Sequence, residues 1–66
     1  MSVAKVTEIS VASPSSFKDA INKGLDRAND TLTDIEGAWV KEMKVVVKGG
    51  RVQEYRVSMK LTFVVH

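Results

Sequence analysis

Between Phe17 and Leu32 the apolar and small residues recur at Phe17, Ala20, Ile21, Gly24, Leu25, Ala28 and Leu32. This spacing puts them all on one side of an α-helix. Lys18, Asp19, Lys23, Asp26, Arg27 and Asp30 fall on the opposite side. The pattern predicts an amphipathic helix, which must lay its apolar stripe on another element. Glycine inside a helix costs about 1 kcal/mol relative to alanine. Gly24 on the stripe, flanked by Ala20 and Ala28, therefore predicts a close approach of the helix to its partner layer. The stretch "SPSSF" offers two ways to start the helix. Ser13 can cap it with Pro14 in the first position, or Ser16 can cap it with Asp19 three residues on.

The partner layer is a sheet. "SVAKVTEISVA" is valine-rich and alternates imperfectly, with Val3, Lys5, Thr7, Ile9 and Val11 on one parity. "AWVKEMKVVVK", following "TLTDIEG", reads as a second strand, which Gly49 and Gly50 turn into a third as a hairpin. The third strand alternates cleanly. Tyr55, Val57, Met59, Leu61, Phe63 and Val65 point one way, and Arg56, Ser58, Lys60 and Thr62 the other. The expected fold class is α+β, in the order β-α-β-β: one domain over residues 1–66, with one helix packed on a three-stranded antiparallel sheet.

One helix cannot cover such a sheet completely. A chain of 66 residues buries only about 60% of the surface it exposes when unfolded, which leaves a monomer marginal. Cysteine is absent, and the single histidine is the last residue, His66. Disulfides and thiolate metal sites are thereby excluded, and oligomerisation is the expected source of stability. Ten Lys and Arg against eight Asp and Glu give a net charge of +2. So balanced a chain, with few aromatics, does not predict nucleic-acid binding. The sequence has no apolar run of membrane-spanning length, and "MSVAKVTEIS" lacks a signal-peptide core, so a soluble, cytoplasmic protein is expected. No nucleophile and base stand at a recognisable spacing, so no enzyme and no catalytic residue is predicted. Asp26 and Asp30, four apart on the solvent side, are poor calcium ligands, because calcium wants six to eight oxygens. No metal ligands are assigned.

The "SP-x-S" of residues 13–16, the "AI-x-x-GL-x-RA-x-x-TL" helix of residues 20–32, "VKEM" at 40–43 and "EYRVSMKLTF" at 54–63 together resemble the dodecins. This family of small β-α-β-β proteins assembles into hollow spherical dodecamers, and many members bind flavins. The resemblance implies a homododecameric storage or buffering protein with a flavin (FMN, riboflavin or FAD), or another small flat aromatic or anionic ligand, at inter-subunit pockets. The alternative is a structural shell of the same fold that binds no flavin and holds metal ions or anionic metabolites at its symmetry axes.

In flavin-binding dodecins a tryptophan opening the second strand stacks on the flavin, and a glutamine after the third-strand aromatic hydrogen-bonds to it. Anchored on "VKEM", this chain has Gly37 at the tryptophan position, with Trp39 two residues on, and Arg56 at the glutamine position. The cofactor-contacting candidates implied are Gly37, Trp39 and Arg56. Residues two apart on a strand share a face, so Trp39 would border the same space as Gly37. Trp39 is expected to pack at an interface or on the sheet, with a displaced stacking platform as the alternative. Gly37 is expected to relieve backbone strain at strand entry. Arg56 should pair with a carboxylate such as Glu42 or Glu54 of a neighbouring subunit, and with Ser58 and Lys60 forms a polar, cationic strip. A solvated sheet face or an anion-binding one would look alike at this level.

Overall fold

The computed structural model describes residues 3–32 and 34–65. His66 and Thr33 lie outside them. The order is β1 (Val3–Ser13), α1 (Phe17–Asn29), β2 (Ile35–Lys48) and β3 (Arg51–Val65). The strands form one antiparallel sheet in the order β1-β3-β2. β3 is central and is paired along both edges, so its side chains are held on alternate faces. That accounts for its clean alternation in the sequence.

The core lies between α1 and the β1–β3 half of the sheet. Val57, Met59 and Leu61 of β3 are fully buried beneath Ala20 and Ala28 of α1. Ile9, Val11, Phe17, Ile21, Leu25, Leu32, Ile35 and Val40 pack around them. Phe17 meets Tyr55 edge to face, with centroids 5.0 Å apart, and closes one end. A β-carbon on Gly24 would stand 2.5 Å from Val11 Cγ2 and 2.8 Å from Met59 Cε. The glycine therefore marks the closest approach of helix to sheet, as its place on the stripe predicted.

Ser16 is the helix cap: its hydroxyl accepts from the Asp19 backbone N–H at 2.9 Å. The alternative cap, Ser13, has another role. Its hydroxyl donates to the Asp19 carboxylate and accepts from the Ser15 N–H at 3.0 Å. Lys23 pairs with the same carboxylate at 3.1 Å, one turn along the helix. The serine hydroxyl and the lysine together hold the Asp19 carboxyl below the usual carboxylate range. A carboxyl depressed in the folded state contributes stability that is present above its unfolded value and is lost as the pH falls through the folded one. Asp19→Asn should therefore flatten the acid limb of the stability profile below about pH 4. Thermal melts of both proteins between neutral and acidic pH check this, and parallel acid limbs would exclude the role.

The sequence stripe and the helix differ at their C-terminal end. Leu32 belongs to the stripe but lies beyond α1; its N–H still donates to the Ala28 carbonyl at 2.8 Å, and its side chain stays on the core. β2 begins at Ile35, three residues before the stretch that reads as strand, because Ile35 pairs with Phe63 and packs against the core. The left-handed residue at this strand entry is Asp34, with φ 52°. Gly49 and Gly50, with φ of 61° and 73°, form the two-residue hairpin turn.

β2 has no clean alternation because its pairing with β3 is bulged. Glu36 and Lys41 are extra residues on β2, and Gln53 is one on β3. Gly37 and Trp39 therefore face away from the helix before the Lys41 bulge, and Glu42 and Lys44 do so after it. The helix packs over β1 and β3 and leaves much of β2 uncovered. Met43, on the helix side of β2, stays 51% exposed, and incomplete coverage by a single helix was the expectation.

Candidate functional site

The helix-free face of the sheet is a ladder of four rows, each read from β1 across β3 to β2. They are Val6–Thr62–Gly37, Glu8–Lys60–Trp39, Ser10–Ser58–Glu42 and Ala12–Arg56–Lys44. Directly opposed residues share a face, so the expectation that Gly37 and Trp39 lie side by side holds.

Trp39 is 67% exposed. Within one chain it has no place in the core: its row lies on the face away from the helix, where no buried cluster of described residues forms. The Lys60 ammonium stands 5.5 Å from the indole centroid, a cation–π arrangement. Glu8, opposite Lys60 in register, is engaged by a different partner. Lys41, released from the ladder by its bulge, reaches over β3 and binds the Glu8 carboxylate at 3.1 Å. Among the described residues Lys60 has no carboxylate at ion-pair distance, so its charge is shared only with the ring.

Gly37 also departs from its expected role. It lies inside β2, its φ is outside the left-handed region, and an added β-carbon would meet nothing within 4 Å. Neither backbone strain nor crowding requires glycine here. Its effect is to leave open space beside Thr62, one row along the sheet from Trp39.

Arg56 is brought to the same face but not to the same place. It lies four residues from Lys60 along β3, which is about 13 Å. Its guanidinium holds the Glu54 carboxylate of its own strand through Nη2 at 2.7 Å and Nε at 2.8 Å. The expected partner is correct, but the pairing is made within the chain. Within one chain Gly37 and Trp39 form a unit with Lys60, and Arg56 stands apart. Lys60 was read only as part of a cationic strip; its contact with Trp39 depends on strand register, which the order of residues does not reveal. Among the described residues no group of three His, Cys, Asp or Glu side chains is placed to hold a metal ion. Among the described residues no helix is long and apolar enough to cross a membrane.

The family model of the dodecins matches residues 3–66. The chain belongs to the dodecin family. This dodecin is 35% identical over 63 residues to the calcium dodecin of Mycobacterium tuberculosis, covering 96% of this chain and 89% of that one. Among solved structures, the dodecin from Streptomyces davaonensis superposes with a TM-score of 0.93 at 29% identity, over 98% of this chain and 96% of that one. The crystal structure of the M. tuberculosis calcium dodecin, described as having a novel calcium-binding site, superposes with a TM-score of 0.84 at 32% identity, over 97% and 91%. Dodecins are small binding and storage proteins rather than enzymes, and this chain is one of them.

Proposed function

We propose that this dodecin is a homo-oligomeric binding protein that holds a flat, anionic aromatic ligand against the helix-free face of its sheet. Flavin nucleotides, with a planar ring and a phosphate, are the class that fits. The observation that carries the reading is the Gly37–Trp39–Lys60 unit: an exposed indole beside open space, with an ammonium that no carboxylate among the described residues neutralises. Lys60 takes one side of the ring and leaves the other to a stacking partner, while its charge favours a ligand carrying phosphate. Arg56, about 13 Å away in its own chain, completes such a site only from a neighbouring copy. The exposed Met43 and Val47 of β2 are the kind of surface that assembly covers. A hollow homododecamer is the arrangement the family resemblance supplies.

The test uses Trp39, the single tryptophan of the sequence, as its own reporter. Light scattering should give a particle far larger than a dimer. FMN should quench Trp39 emission at lower concentration than riboflavin does, and Lys60→Gln should erase that preference with the particle size unchanged. An assembled protein whose Trp39 emission ignores both flavins would overturn the reading.

A second reading comes from the calcium named for the mycobacterial relative. No single chain gathers enough carboxylates among its described residues, so calcium would be held by side chains converging from several copies. Calcium that raises the melting temperature of the assembled protein without altering Trp39 emission would favour it.

A further inference from the structure

α1 and the outer edge of β1 enclose a groove of about 470 Å³ on the side of the molecule away from Trp39. Among the described residues β1 has no strand partner along this edge. Ile9 and Val11 of β1, Ala28 of α1 and Leu32 make the apolar lining, and Lys23 and Arg27 stand on the helix rim. The volume falls within the range of small-molecule sites, which combine an apolar lining with a few placed polar groups.

We propose that this groove binds a small aliphatic carboxylate, its chain along Ile9, Val11, Ala28 and Leu32 and its head on Arg27. Two observations select that chemistry. The lining contains no aromatic side chain, so it offers a flexible alkyl chain contact area and offers a planar ring no stacking surface. The two rim cations differ in their commitments. The Lys23 ammonium is held by Asp19 at 3.1 Å. Arg27 has no carboxylate at ion-pair distance among the described residues. A cation in the last helical turn also complements the helix C-terminus, but that leaves the guanidinium N–H donors free for a two-oxygen anion.

The test is independent of any ligand at Trp39. Decanoate, at submicellar concentration, is titrated into the intact protein with labelled Ile, Val and Leu methyl groups, alongside decanol as the uncharged counterpart. Decanoate should shift the Ile9, Val11 and Leu32 methyl signals and leave Trp39 emission unchanged. Arg27→Gln, an exposed substitution that spares the core, should weaken decanoate about tenfold or more, the loss typical of a charge-assisted hydrogen bond, and should leave decanol unaffected. Absence of groove shifts, equal binding of decanol and decanoate, or an unaltered affinity in the variant would each overturn the proposal.

Discussion

Gly24→Val should fail to reach the native melting temperature by a wide margin, and the assembled particle should be lost with it. The new β-carbon would overlap Val11 Cγ2 at 2.5 Å and Met59 Cε at 2.8 Å, with Ile9 Cδ1 at 3.3 Å. Met59 can swing its terminal methyl aside, but Val11 is branched at Cβ and has no comparable freedom. The helix must therefore lift off the sheet, away from the fully buried Val57, Met59 and Leu61. Overpacking of this kind typically costs about 1–3 kcal/mol, occasionally more, a large share of the net stability of a small domain. Gly24→Ala gains about 1 kcal/mol of helix propensity, yet places the same β-carbon in the same contact, so it too should lower the melting temperature. Val11→Ala makes room for it. The double variant Gly24→Ala, Val11→Ala should be more stable than the sum of the two single effects predicts. Strictly additive melting temperatures, or a Gly24→Val protein that melts like the parent, would show that the helix does not rest where the glycine places it.

That contact was legible in the sequence because glycine weakens a helix, and on an apolar stripe it is tolerated chiefly where a larger side chain would not fit. The helix, the glycine turn and the alternation of β3 were legible because each follows from near neighbours in the chain. β2 was harder. The bulges at Glu36 and Lys41 shift its phase, so no parity rule applied along its length places both Trp39 and Lys44 correctly. The site suffered most from this. Trp39 meets Lys60 only through the β2–β3 register, and Lys41 is drawn to Glu8 across an intervening strand. Arg56 was drawn into the same site by its match to the family's glutamine position, but within one chain it lies four residues along β3 from the Lys60 that pairs with Trp39.

Gly37→Trp should strengthen flavin binding by about 5- to 150-fold, the equivalent of the roughly 1–3 kcal/mol that one aromatic stacking partner contributes per base-sized ring. The position can accept the side chain. Its φ lies outside the left-handed region, no atom lies within 4 Å of an added β-carbon, and tryptophan suits a strand better than glycine does. Fold and particle size should therefore be unchanged. If Gly37 stands where flavin-binding dodecins carry their stacking tryptophan, the variant restores a second ring face next to the exposed Trp39 indole, while Lys60 still serves the phosphate. Gly37→Leu separates π stacking from simple filling of space: it adds apolar area at the same point without a ring, and should recover little of the gain. FMN titrations followed by loss of flavin fluorescence distinguish the cases. An assembled Gly37→Trp protein that binds FMN no better than the parent would mean that the space above Gly37 and Thr62 is shaped for a different ligand. The geometry of that space, rather than the missing ring, would then be what excludes flavin, since a site can reject a ligand by its shape even where a stacking partner is supplied.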